Sequence, residues 1–298
     1  MKKFTLTIIS LLLVGMFKAS TAWAQQESFG GGDGTATNPY LISTADHWNQ
    51  LASDVSAGTS YSGKFFQLAA NISVSTLIGT GTNGNNAKSF SGTFDGNGNT
   101  LTFNYTATDD VANAPFRFLN NATIKNLHVD GTITTRYRHA SGLAGRTYGT
   151  TLIQGCRVST VIRSSVAGDA THGGIVVMKP DWKNAHLTLE GCVFDGKIVS
   201  TGTTASTHCG GLVGYTSYGS LTLSNCIYAP ADDANLVTSE RSLYRFLASG
   251  PGTITVNNCY YSQTNISSRI SELSNKRNGR ASEIPDDSAI FHITLSAR

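Results

Sequence analysis

The stretch that decides the fold is Ser206–Tyr228, STHCGGLVGYTSYGSLTLSNCIY. Weaker copies of it recur along the chain. Gly142-Leu143-Ala144-Gly145 matches Gly211-Leu212-Val213-Gly214, and Gly173-Gly174-Ile175-Val176-Val177 is a version without the closing glycine. Each copy runs on to a Gly-Cys or Asn-Cys step, at Gly155-Cys156, Gly191-Cys192 and Asn225-Cys226. Asn258-Cys259 adds a fourth, after a block around Ser242-Leu243-Tyr244-Arg245 that has lost its glycines. Upstream, Asn126-Leu127-His128-Val129 fills the same slot with leucine. From Leu127 the steps are 29, 36, 34 and 33 residues (156−127, 192−156, 226−192, 259−226). A recurrence in that range marks stacked repeats, none of which buries its apolar face alone.

The strands within each repeat set the fold class. Thr123–Val129, Thr151–Val158, Leu187–Phe194, Leu221–Tyr228 and Thr253–Tyr260 read as strands, with shorter ones after the first three. No helical period separates them, so the expectation is an all-β, right-handed parallel β-helix rather than a doubly wound α/β sheet. The inward positions are read as Ile124, Leu127 and Val129, then Leu152, Cys156 and Val158, then Leu187, Leu189, Cys192 and Phe194. Equivalent residues of neighbouring rungs lie about 4.8 Å apart and point the same way. Cys156, Cys192, Cys226 and Cys259 are therefore read as a packed ladder of thiols rather than as disulfides or a metal site, with Cys209 a free thiol near a turn.

The N-terminus adds a leader and a cap. Residues 1–24 read as a secretory signal: Lys2 and Lys3, an apolar run from Phe4 to Phe17, then Ala22-Trp23-Ala24. Residues 25–60 are a Gly-rich lead-in, a short strand at Pro39–Ile42, and one helix capped by Ser43 or Thr44. Ala45, Trp48, Leu51, Ala52 and Val55 form its apolar face, which suits a capping helix. Residues 61–262 are assigned to the β-helix, with a tight turn at Asp95-Gly96-Asn97-Gly98. Residues 263–298 are a C-terminal cap or tail.

These segments carry a family likeness. Gly-Leu-x-Gly, a Tyr-Gly-Ser/Thr turn and an Asn/Gly-Cys strand resemble the GLUG-motif repeat of secreted bacterial proteins. NPYLISTADHWNQLA, FFQLAANI and FSGTFDGNGNTL resemble the segment that precedes such repeats in surface proteins of Bacteroides-like bacteria. The resemblance covers about Gly31 to Tyr261. It implies an exported, adhesin-like β-helix. Similar β-helical regions accompany some metallopeptidases that cut immunoglobulin A, but their His-Glu-x-x-His zinc motif is absent from this sequence.

Composition narrows the partners. The leader holds Lys2, Lys3 and Lys18 of the 22 basic residues, which leaves 19 basic against 19 acidic. The mature chain is neutral, so the overall charge of +3 gives no pointer to nucleic acid or anionic membranes, and no nucleic-acid partner is expected. After signal cleavage no membrane insertion is expected. The expected protein is a secreted or surface-held monomer without metal or cofactor, recognising a glycan or an extracellular protein.

Two sets of side chains are candidate sites. Tyr148, Trp182 and Tyr218, with Tyr215 nearby, precede the next ladder cysteine at similar distances and would line an edge suited to stacking on sugars or on an extended peptide. The alternative is turn packing. His139, His172 and His208 precede the Gly-rich strand; stacked in register they would share a metal or bind a sugar acid, and otherwise they mark a corner tolerant of polar residues. A polysaccharide lyase is the alternative function. Arg136, Arg138, Arg146 and Arg163 supply basic groups, but Asp130, Asp169 and Asp195 look scattered, and no catalytic residue is assigned. A spacer in a larger surface protein is a third reading.

Overall fold

The structure, a computed structural model, describes residues 29–82, 86–166, 171–179, 185–200, 209–216, 219–230, 243–244, 247–249, 253–262 and 290–296. Residues 1–24, read above as a leader, therefore lie outside the described residues, as do Asp169, Trp182, His208 and Tyr218.

The chain coils into a parallel β-solenoid. Its first ladder runs through Tyr40–Ile42, Phe65–Leu68, Thr93–Asp95, Thr123–Lys125, Thr150–Gln154, His186–Glu190, Ser220–Ser224 and Thr253–Ser262, every neighbouring pair parallel. Phe94, Ile124, Ile153, Leu189, Leu223 and Val256 stand in one register column. From Ile124 its steps are 29, 36, 34 and 33 (153−124, 189−153, 223−189, 256−223), those of the cysteine column. A second ladder follows the turn at each cysteine, through Leu101, Val129, Val158, Phe194 and Tyr228. The Gly-rich segments make two further walls, one through Phe116, Ala144, Val176 and Val213, the other through His139–Ser141 and Thr171–Gly173.

Strict alternation decides which residues are buried. Nine of the ten positions read as inward are buried: Ile124, Leu127, Val129, Cys156, Val158, Leu187, Leu189, Cys192 and Phe194. Leu152 is the exception. It pairs with Thr123 and Thr188 on the outer face, while Thr151 and Ile153 point in. A shift of one residue exchanges the two faces of a strand.

The residue before each ladder cysteine turns the corner. Asn126, Gly155, Gly191, Asn225 and Asn258 all have φ between 50° and 60°, the left-handed region that asparagine and glycine enter most readily. This explains why the first residue of the step is asparagine or glycine in each of these rungs, whether leucine or cysteine follows. Behind it, Cys156, Cys192 and Cys226 point their sulfurs at carbonyl oxygens of the preceding rung (Ile124, Ile153 and Leu189) at 3.8, 3.3 and 3.4 Å. Hydrogen bonds with the Cys156 and Cys226 sulfurs, together with burial, push the Cys192 thiol well above its ordinary range. All five cysteines are free and buried. The folded protein is therefore expected to take up no maleimide, and the denatured protein five equivalents, measured by intact mass. Rapid native labelling would contradict the packed ladder.

The helix Ala45–Ala57 lies between the first two strands of the ladder. Thr44 caps it by accepting from the His47 amide, and Gly58 ends it at φ 111°. Trp48, Leu51, Ala52 and Val55 are buried. Trp48 packs edge-on to Phe94 and Phe116 and donates its indole N–H to the Thr76 carbonyl at 2.8 Å. At the other end, Ile290–Ser296 pairs antiparallel with Thr253–Ser262, so the last rung's edge is occupied rather than open.

Candidate functional site

The aromatic positions occupy different environments. Tyr148 is buried at 7% exposure, its ring 6.3 Å from that of Phe118. Tyr215 is half-buried and registers with Met178 and, a rung further back, Arg146. Tyr148 registers with Asn120. The two tyrosines thus stand in separate columns.

The histidine corner is a buried polar cluster. His139 pairs with Thr171, and His172 pairs with Ala140. Parallel partners share a face and successive residues alternate, so His139 and His172 lie on opposite faces of their sheet rather than stacked. His139 Nδ1 donates to the Asp110 carbonyl at 2.7 Å, and burial lowers its pKa. Asp110 also accepts from the backbone and guanidinium of Arg138, at 2.7 and 2.8 Å. Asp109 holds the largely buried Arg117 with both oxygens, at 2.6 and 2.7 Å. Asn113 ties the same loop to the carbonyls of Asp109 and His139. On the inner side His172 is 1% exposed; its Nε2 meets Ser164 Oγ at 2.8 Å and its Nδ1 has no partner. Burial, followed by the neighbouring His139, pushes His172 down to about 3. Among the described residues no group of three or more His, Cys, Asp or Glu could hold a metal ion.

The second ladder carries a cluster on its outer face that the sequence reading missed. Asp130 and Asp195 are not scattered. Ser159 donates its amide to the Val129 carbonyl and Asp195 to that of Val158, which places Asp130, Ser159 and Asp195 in one outward column. His128, Arg157 and Val193 form the column beside it. Arg157 reaches Asp195 Oδ2 with Nε at 2.8 Å and Nη2 at 2.6 Å. Ser159 Oγ donates to Asp195 Oδ1 at 2.6 Å. With its proton spent there, Ser159 accepts from His128 Nε2 at 2.9 Å, and His128 Nδ1 is hydrogen-bonded with Thr100 Oγ1 at 3.2 Å. One hydrogen-bonded relay thus crosses four rungs. Its direction is the reverse of nucleophile activation, in which the serine would donate to histidine.

No family model matches the chain, and no curated protein matches it either. Among solved structures, a Bacteroides ovatus protein provisionally described as an immunoglobulin A1 protease, with a crystal structure at 1.30 Å resolution, is similar to it. The TM-score is 0.48 at 17% identity, over 91% of this chain and 86% of that one. A likeness at that level says nothing about activity.

Proposed function

We propose that the protein is an exported, non-catalytic binding module whose outer faces recognise an extended glycan. The observation that supports this is the periodic display of polar groups. Asp95, Lys125, Gln154, Glu190, Ser224 and Asn257 form one outward column, and Thr93, Thr123, Leu152, Thr188, Thr222 and Thr255 the one beside it. Donors and acceptors repeat at about 4.8 Å along the axis. A chain of sugars lying along that axis meets a similar group at each rung, whereas a folded protein partner has no such period.

The test is a panel of neutral and acidic polysaccharides, with extracellular proteins as competitors, assayed for retention and for release of reducing ends. Retention of glycan at constant chain length is the expected result. Shortening of the glycan would favour the lyase, and capture by proteins alone would replace the glycan.

A further inference from the structure

We propose that His128, Asp130, Arg157, Ser159 and Asp195 form a subsite for a neutral hexose, gripped through vicinal hydroxyls; this rests on the glycan reading above.

The side chains are already held for the task. Asp195 is fixed by Ser159 and Arg157, and His128 by Ser159 and Thr100. A ligand binding there orders little that is still free, so few of its contacts are offset by lost side-chain entropy. The groups also keep unused capacity. Arg157 is 59% exposed on its side chain, and its bonds to Asp195 run through Nε and Nη2, so among the described residues Nη1 is not used in that pair. Asp130 is exposed and accepts from the Gly131 amide through Oδ1 at 2.6 Å, and among the described residues no group bonds its Oδ2. A carboxylate accepts from two neighbouring hydroxyls at once, and the guanidinium donates to their oxygens.

Charge selects among sugars. Both ring nitrogens of His128 are engaged by hydroxyl partners, and the carboxylates of Asp130 and Asp195 outnumber the one guanidinium of Arg157 beside them. That complements a polyol and disfavours a uronate. The next residues of the His128–Arg157 column are Val193, Ile227 and Tyr260, all half-buried. They give the C–H face of a following sugar an apolar floor, the usual combination in a saccharide site.

Calorimetric titration of the full chain with neutral β-linked hexose oligosaccharides, and with an oligouronate as the counter-probe, tests the assignment. Asp195→Asn is expected to weaken the neutral ligand about tenfold, as for loss of a charge-assisted hydrogen bond. Asp130→Asn is expected to weaken it less and to narrow the preference over the uronate. Both positions are at the surface, and unchanged melting curves confirm that the fold is kept. If the wild type binds neutral oligosaccharide and both variants bind equally well, the subsite is wrong while the glycan reading stands. A wild type that prefers the uronate also overturns the subsite. If it binds no saccharide at all, both readings fall together.

Discussion

Gly174→Ala is expected to unfold far more easily than the wild type, or not to fold at all. A methyl at that position would sit 2.0 Å from the Gly211 carbonyl oxygen and 2.6 Å from the Phe194 ring. The oxygen belongs to the next rung's backbone, and Gly174 is itself bonded on both sides, its amide to Gly210 and its carbonyl to the Gly142 amide. Neither neighbour retreats without breaking a ladder. Overpacking a core side chain typically costs about 1–3 kcal/mol, and a clash with backbone belongs at or above the top of that range. Gly142 is in the same situation, with Val158 Cγ1 at 2.3 Å from its notional Cβ. Gly142 and Gly174, level with each other in neighbouring rungs, are therefore spacing devices between opposite walls. Gly191→Asn is the comparison: φ there is 59° in open space, and Asn225 does the same job one rung on. Thermal melts of the two variants decide it. If Gly174→Ala melts no earlier than Gly191→Asn, the glycine serves something other than close approach.

Acidification is expected to destabilise the protein through His172. Its folded pKa lies near 3 against 6.5 for the ordinary side chain. Between those values the unfolded chain takes a proton that the folded one refuses. The stabilisation is complete above about pH 6.5 and is lost as the pH falls towards 3, on the order of 4 kcal/mol in all. Burial of the imidazole sets this first and the neighbouring His139 adds to it, while the Asp110 carboxylate works against it. The pKa of His139 is also lowered by burial, so it acts in the same direction. Urea unfolding of the wild type and His172→Phe between pH 7 and pH 4 separates the contributions. The variant begins less stable, because the hydrogen bond between Ser164 and the imidazole is lost, but its stability changes less with pH. Equal slopes would remove His172 from the account.

The sequence was most informative where one position recurs in every rung. The cysteine column alone carries the axial spacing, the turn residue and nine of ten inward positions. Leu152 failed because alternation was counted within its own strand; a step of 29 from Ile124 lands on Ile153. The same arithmetic was available for the outer cluster. Asp130, Ser159 and Asp195 each follow Leu127, Cys156 and Cys192 by three residues, and His128 and Arg157 follow by one. The histidine corner was legible too, since His139 stands three residues before its glycine and His172 two, and that offset changes the face. Less accessible were Asp109 and Arg117, which meet through a loop whose path follows no repeat. The burial of Tyr148 against Phe118 depends likewise on tertiary packing that no spacing encodes.

The ladder has a further consequence, for mechanics. Each rung leans only on the one before and the one after, so the molecule is a line of similar units rather than a ball with one centre. Tension applied along the axis would be borne by successive sets of backbone bonds, yielding one coil at a time from whichever end is less well closed. The backbone of Gly30 and Gly31 bonds the outer edge of the first strand, and among the described residues the antiparallel strand Ile290–Ser296 pairs with the last. Under shear, such a chain would dissipate load in steps while its middle rungs kept their shape.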